Sequence, residues 1–414
     1  MLIKYFKAFI ITLLFFYQNS LYSKNIDNTE FNLKEISNYF SATVSYNNQK
    51  NTQSLEFFNL SKSLIDEHTP YFKKYIFALI IEGKVDRAIK ELKNNFNKKN
   101  SKFFESYLLL TVDSIQKKDF EKSNRYLNEL SKFKGDGTIE LIIYETLKEY
   151  IYLFKNKKFL NNKITFGNLS AINKAFQSCY INEKKTEQYF INLINNYEID
   201  YSRYIFFYTN YLINKKEFTQ AQAIIDNVNT LNSNLLVLQT KNWIEQKKFY
   251  KFNQIFSCEE ESDLISEFLF LIANLYSTQK NIEKSNFYMN ISNFLNTKFK
   301  FNLSLLVENH YINNNFKQSK KILNKFNKSD DVYYWYKIKK KSNIIFKELG
   351  EKQSIDFINK KFKEISNPSI KILFDMANIS KSFEKYKEAI NYYNQIISRT
   401  SSNSDSYASL LFRR

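Results

Sequence analysis

Histidine and cysteine, the side chains most often used for acid–base, nucleophilic or metal chemistry, are scarce in this chain. The two histidines, His68 and His310, do not stand at a spacing typical of metal ligands. His310 occupies the slot that Tyr276 fills one repeat earlier, which predicts a packed helix residue. With five glycines in 414 residues, the sequence has neither a glycine-rich phosphate loop nor a GxSxG turn. The residue types therefore favour a non-catalytic protein without a cofactor or a metal site.

Cys179 and Cys258 are the only cysteines in the sequence. In an oxidising compartment the pair can form a disulfide that joins two repeats, whereas cysteines inside helices are more often buried thiols. The sequence leaves both alternatives open. An acidic run from Glu259 to Asp263 follows Cys258, and we interpret it as the start of a helix, where negative charge suits the helix dipole, rather than as a cation site.

A Phe-x-x-x-Asn motif recurs at three places along the chain. A spacing of four puts both side chains on one face of a helix, where the amide can pair with a peptide main chain and the ring offers an apolar contact. Because the chain contains 40 phenylalanines, core packing or coincidence is the alternative interpretation. The motifs are Phe206 with Asn210, Phe270 with Asn274, and Phe374 with Asn378.

Composition indicates a mostly helical and basic protein. Two prolines and five glycines are too few turn formers for a β-rich or doubly wound fold. The formal charge of +19 comes from lysines scattered along helix faces, and few arginines are present to grip phosphates, so nucleic acid is not the expected partner.

The first 23 residues predict a secretory signal peptide. Lys4 and Lys7 precede an apolar run from Ala8 to Tyr17, which is shorter than the roughly 20 residues that a spanning helix needs. We therefore expect export, in a bacterium to the periplasm. An uncleaved anchor in the inner membrane is the alternative, because Leu21 stands where a small residue is usual two positions before Ser23. Residues 24–30 are polar and are predicted to form a linker.

From residue 31 onward, short amphipathic helical segments alternate with polar turns. The first residue on the apolar face of every second segment is small or polar. These residues recur at intervals of 34, 35, 63, 35, 64, 34, 35 and 35 residues, each close to one or two copies of a single length. These residues are Ser54, Ala88, Ser123, Thr186, Ala221, Ser285, Ser319, Ser354 and Ala389.

This period, built from two helices, resembles the tetratricopeptide repeat family, and individual residues match the family's small and aromatic positions. The resemblance spans residues 31–414 and weakens between Gly135 and Cys179 and around Phe252, which stands where a small residue is expected. The matching positions are Ala273, Tyr276, Ser285 and Ser292 in one repeat and Leu373, Ala377, Tyr386, Ala389 and Tyr393 in another.

The resemblance implies an all-α solenoid of about ten stacked helix pairs whose first helices line a concave groove. It places the three Phe/Asn pairs on that groove, with Arg203 and Lys371 near enough to meet a carboxylate of a bound peptide. We therefore predict a non-catalytic scaffold of the cell envelope that binds an extended peptide or a partner helix.

Alternatives follow from the end of the sequence. Residues 404–414 predict the first helix of a further repeat, so the chain is expected to be truncated at its C-terminus. It would then be either a structural subunit that docks through that end, or the repeat part of a longer enzyme. Binding to anionic lipid or nucleic acid through the net charge is a third alternative.

Overall fold

The computed structural model describes residues 32–162, 164–195, 202–231, 233–400 and 405–414. These residues form α-helices joined by turns and short 3₁₀ segments and contain no β-strand, which confirms the predicted all-α class. The predicted signal peptide and linker lie outside the described residues and stay predictions. The helices are α1 (Leu33–Asn47), α2 (Asn51–Asn59), α3 (Leu64–Glu67), α4 (Thr69–Ile81), α5 (Val85–Asn94), α6 (Phe104–Gln116), α7 (Phe120–Leu130), α8 (Ile139–Asn156), α9 (Asn168–Tyr180), α10 (Thr186–Ile194), α11 (Arg203–Asn214), α12 (Phe218–Asp226), α13 (Leu235–Glu245), α14 (Tyr250–Ile255), α15 (Glu261–Thr278), α16 (Ile282–Leu295), α17 (Leu303–Ile312), α18 (Phe316–Leu323), α19 (Val332–Leu349), α20 (Glu351–Lys363), α21 (Ile370–Ser382), α22 (Tyr386–Ile397) and α23 (Asp405–Arg413).

The chain divides into two compact units, residues 1–67 and 68–414, where the sequence predicted one array from residue 31. In the described part of the first unit, α1 and α2 form a hairpin in which the Ser54 hydroxyl donates to the Ala42 carbonyl at 2.8 Å. The second unit contains the hairpins from α4 to α22, with α8 as a single long helix among them, and α23, which buries Leu410.

Antiparallel hairpins are the repeating element, and small residues set their spacing. In eight of the nine predicted repeats the small residue is the fourth residue of the second helix, as Ala88 is in α5 and Ser285 in α16. All nine are at most 3% exposed, because a larger side chain there would push the two helices apart. The interval between small residues in the sequence is therefore the interval between the places where the two helices of a hairpin pack most closely.

Most hairpin turns share one backbone conformation. Two positions after the first helix ends, a residue has positive φ, as Gly83, Lys118, Lys216, Lys280 and Asn314 do. The following N–H bonds back to a carbonyl five residues earlier, which is the Schellman arrangement that satisfies the last carbonyls of a helix. Lysine and asparagine fill most of these left-handed positions, although glycine adopts them at lower cost.

The two double-length intervals correspond to irregular repeats. Between Ser123 and Thr186 lies the 18-residue helix α8, and the described residues between it and α9, 157–162 and 164–167, form no helix. Between Ala221 and Ser285 the second helix, α14, is only six residues long, and Phe252 is fully buried at its small-residue position. The weak stretches of the resemblance are thus real departures from the repeat.

Hairpins far apart in sequence also touch within the second unit, where the sequence predicted contacts between neighbours only. The rings of Phe77 in α4 and Phe287 in α16 stack at 4.5 Å. The Asn290 amide donates to the Ile81 carbonyl, 209 residues away, and Lys321 pairs with Glu82 at 3.3 Å. Curvature of the stacked hairpins thus brings α4 back against α16, so the array is not an open ribbon there.

Candidate functional site

The first predicted pair, Phe206 and Asn210 in α11, lies in the interior. Phe206 is fully buried, and its ring stacks on Phe252 at 5.7 Å. The Asn210 amide is 1% exposed and donates to the carbonyls of Phe252 and Phe256 at 3.2 and 3.1 Å. The prediction that these two residues line a groove is wrong, because they cap and cover the short helix α14 instead.

Arg203, expected to meet a partner's carboxylate, already binds one from its own chain. Its guanidinium donates to both carboxylate oxygens of Glu267 in α15, at 2.8 and 2.7 Å, and to the Asn302 side chain at 2.6 Å. Glu267 is 2% exposed, so the pair is a buried tie between α11 and α15. The predicted partner contact is therefore wrong for Arg203.

The second pair, Phe270 and Asn274 in α15, has the accessibility that the sequence predicted. Asn274 is exposed, and Phe270 is half-buried with the Arg203 guanidinium 4.0 Å from its ring centroid. One face of the Phe270 ring is thus occupied by the chain's own cation. A binding role for this pair stays a prediction.

The third pair is split between core and surface. Phe374 is 6% exposed and belongs to a cluster with Ala389, Tyr393 and Leu410, so a groove position is wrong for it. Asn378 is half-buried and accepts a hydrogen bond from the Tyr393 hydroxyl at 2.9 Å.

Lys371, the other predicted cation, is half-buried and pairs with Asp375 at 3.2 Å. It also donates to the Leu231 carbonyl at 3.3 Å. Its cation is thus engaged within the chain, and contact with a partner's carboxylate stays a prediction.

Cys179 and Cys258 form a disulfide, with their Cα atoms 5.8 Å apart. The bond joins the end of α9 to the segment that precedes α15 and closes a loop of 79 residues. Next to it, the Tyr180 hydroxyl donates to Glu261 at 2.7 Å, and Lys118 pairs with the same carboxylate at 3.1 Å. Of the two alternatives that the sequence left open, the structure contains the disulfide.

The remaining titratable candidates have structural surroundings. His310 is packed, as predicted, and burial lowers its pKa to about 4. In the acidic run, Asp263 accepts a hydrogen bond from the Ser257 N–H at 2.9 Å, and burial raises the Asp263 pKa to about 6. The described residues contain no group of histidine, cysteine and carboxylate side chains that is able to hold a metal ion.

A cleft of about 510 Å³ lies where α4 and α6 meet the start of α16; we call it the seam cleft. Its floor is aromatic: Phe77, Phe103 and Phe104 are nearly buried, whereas Phe133 is 40% exposed. Four sequence segments far apart in the chain build it. The lining residues are Lys73, Phe77, Phe103, Phe104, Glu105, Phe133, Glu140, Asn281, Glu283 and Lys284.

Two ion pairs flank the aromatic floor. Lys73 pairs with Glu105 at 3.1 Å, and Lys284 pairs with Glu140 at 3.3 Å. Lys73 also lies 5.6 Å from the ring centroids of Phe77 and Phe103. The cleft thus combines an apolar floor with donors and acceptors at its sides, which is the composition of sites that hold a peptide segment.

No sequence motif marks the seam cleft, because its residues share no regular spacing. Phe103 and Phe104 are adjacent, Phe133 follows a different helix, and Lys284 comes from a hairpin about 150 residues later. The sequence signal at this place is only the run of aromatic residues in α4 and at the start of α6. Nothing in the period predicts that α16 folds back against them.

No family model matches this chain, and no curated protein matches it in sequence. Among solved structures, the crystal structure of yeast Tom70 is similar over 91% of this chain and 94% of that chain, at 10% identity and a TM-score of 0.24. A similarity this low carries no argument about partners, and the fold assignment rests on the helices themselves. No helix in the described ranges has the length and apolarity needed to cross a membrane.

Proposed function

We propose that this protein is a non-catalytic interaction scaffold that holds an extended peptide segment of a partner protein in the seam cleft. The observation that carries the proposal is the partly open aromatic floor flanked by the Lys73–Glu105 and Lys284–Glu140 pairs. A large apolar side chain of the peptide would contact Phe133, which still exposes 40% of its surface. The peptide main chain would meet the charged and amide groups at the sides.

The proposed binding surface, the seam cleft, differs from the concave groove that the resemblance implied. Four of the eight residues assigned to that groove, Arg203, Phe206, Asn210 and Phe374, have contacts within the chain that leave little for a partner. Phe270 and Asn274 keep accessible surface. They are the second place to test.

Substitution of exposed aromatic residues tests the cleft with little risk to folding. Peptides are first selected from a random library for binding to the oxidised wild-type chain. They are expected to bind a Phe133→Ser variant far more weakly, because the contact between Phe133 and the apolar side chain of the peptide is removed. The matched control is Phe218→Ser, since Phe218 is 41% exposed and lies outside the cleft. Equal affinity for the Phe133→Ser variant and the wild type contradicts the proposal, and so does equal loss in both variants.

We further propose that the chain is exported to the bacterial periplasm. The apolar segment that starts at Ala8 supports this, and the Cys179–Cys258 disulfide is the kind of bond that persists in oxidising compartments. N-terminal sequencing of the protein expressed with its first 23 residues in a Gram-negative host is expected to begin at Lys24. An intact N-terminus in a membrane fraction would favour the anchor instead.

A further inference from the structure

The last hairpin turns of the chain expose large apolar side chains. Ile312 at the end of α17 is 64% exposed, and Phe346 and Leu349 at the end of α19 are 43% and 62% exposed. Tyr386 at the start of α22 is 57% exposed. We call these four residues the apolar rim. Exposed leucine or phenylalanine residues are ordinary when single, but a group on neighbouring turns marks a contact surface.

Contacts between the hairpins place these turns along one edge. Lys320, in α18, pairs at 2.5 Å with Glu348, at the end of α19. The Phe346 ring lies 6.0 Å from that of Phe383, three residues before Tyr386. The turns of α17–α18, α19–α20 and α21–α22 therefore follow one another on the same side of the stack.

The apolar rim borders the most basic part of the chain. Residues 317–363 contain fourteen lysines, no arginine and five carboxylates, a formal charge of +9 out of +19 for the whole protein. On the turns themselves, Lys317, Lys347, Lys352, Lys381 and Lys387 are exposed. Four exposed glutamates share these turns: Glu348, which Lys320 pairs with at 2.5 Å, Glu351, Glu384 and Glu388. The turns thus present five exposed lysines and four exposed glutamates beside the exposed apolar side chains, and further lysines follow along the same helices.

We infer that the apolar rim and its lysines bind the surface of an anionic lipid bilayer. Lysines near such a surface gain electrostatic energy, while exposed apolar side chains enter the boundary between headgroups and acyl chains. Charge complementarity favours an anionic partner, and the absence of arginine from residues 317–363 disfavours the bidentate phosphate contacts typical of nucleic-acid recognition.

Turns at the other end of the second unit lack this combination. The α4–α5 turn consists of Glu82, Gly83 and Lys84, and the α6–α7 turn of Lys117, Lys118 and Asp119. Neither turn carries a large exposed apolar side chain. The combination is therefore absent from these two turns, although Phe218 and Tyr250, at the starts of α12 and α14, are also 41% and 59% exposed.

Vesicle binding of the oxidised full chain tests the inference. We expect cosedimentation with phosphatidylcholine vesicles containing about one-third phosphatidylglycerol and far less with phosphatidylcholine alone. A Lys317→Gln, Lys347→Gln, Lys352→Gln variant is expected to partition on the order of 100-fold more weakly, at about five-fold per lysine. The matched control replaces the exposed lysines Lys84, Lys90 and Lys99 with glutamine and is expected to bind as the wild type does.

A second variant separates a membrane from other polyanions. Phe346→Ser with Leu349→Ser keeps every charge, so it should weaken vesicle binding at least ten-fold and leave any binding to duplex DNA or polyglutamate unchanged. The inference is overturned if the wild type binds both vesicle types equally or not at all. It is also overturned if the two lysine variants behave alike, or if the double serine variant binds vesicles as the wild type does.

Discussion

Helices α11 and α15 carry the same Phe-x-x-x-Asn motif at corresponding places, yet the two motifs have opposite surroundings. In α11, Phe206 and Asn210 are buried beneath Phe252 and the backbone of α14. In α15, Asn274 is exposed and Phe270 is half-buried. A spacing of four fixes which face of the helix carries the pair, whereas the neighbouring repeat decides whether that face is covered. Motif spacing alone therefore does not identify a surface in a repeat protein.

The largest expected contrast is between the two phenylalanines. Phe206→Ala leaves a cavity in a closed aromatic core and should lower the free energy of unfolding by about 4 kcal/mol. Phe270→Ala removes a half-buried ring and should lower it by about 1 kcal/mol. Urea unfolding followed by far-UV circular dichroism measures both. Equal destabilisation of the two variants would mean that α11 and α15 do not differ as described.

Loss of the disulfide tests what keeps the α11 pair covered. Phe256, whose carbonyl accepts from Asn210 and whose ring lies 4.8 Å from Phe207, is two residues from Cys258. Replacing both cysteines with serine should lower the free energy of unfolding by about 3 kcal/mol, because the unfolded chain loses a cross-link. The reduced wild type serves as the matched control and should fall by a similar amount. No difference between oxidised wild type and variant would contradict this.

His310 and Tyr276 hold the same position in successive repeats, so one position carries a titratable residue in α17 and a tyrosine in α15. Burial lowers the folded-state pKa of His310 to about 4, so the unfolded chain binds the proton first as pH falls. The neutral, buried His310 therefore contributes to the free energy of unfolding in full above pH 6.5, the pKa of histidine in the unfolded chain. Between pH 6.5 and pH about 4 this contribution, about 3 kcal/mol, is progressively lost.

A His310→Phe variant should therefore lose less stability than the wild type between pH 6.5 and 4, as measured by urea titrations at several pH values. His68→Gln is the control: burial and the Lys74 charge also lower the pKa of His68, but this residue lies at the edge of a helix, so its replacement should change the acid sensitivity less than His310→Phe does. If the His310→Phe variant retains the full acid sensitivity of the wild type, the packed histidine is not its source.

The two asparagines should differ by less than the two phenylalanines. Asn210→Ala leaves the carbonyls of Phe252 and Phe256 without their donor and should cost about 2 kcal/mol, whereas Asn274→Ala should change the free energy of unfolding by under about 0.5 kcal/mol. Amide hydrogen exchange is the sharper measurement here, because α14 should exchange faster only in the Asn210 variant. Faster exchange of α14 in the Asn274 variant would contradict the assignment.

The smallest expected effect concerns the hairpin turns. Lys280 adopts φ 61° and is exposed, so Lys280→Gly should raise the free energy of unfolding by about 0.5 kcal/mol through relief of the left-handed backbone. Lys280→Ala removes the same charge but keeps a Cβ atom, and it should be neutral. A gain in the alanine variant would point to charge rather than backbone conformation.

The sequence by itself determined the helices, their pairing into hairpins and the small residues at each close contact. These depend on residue types within about 35 positions, and Ala88 or Ser285 could be placed from spacing alone. Tertiary structure decided which faces stay open. The burial of Asn210, the Cys179–Cys258 bond and the seam cleft all arise from residues that curvature brings together across 40 to 200 positions. A local period carries no record of such contacts, because the same hairpin is compatible with a covered or an uncovered face.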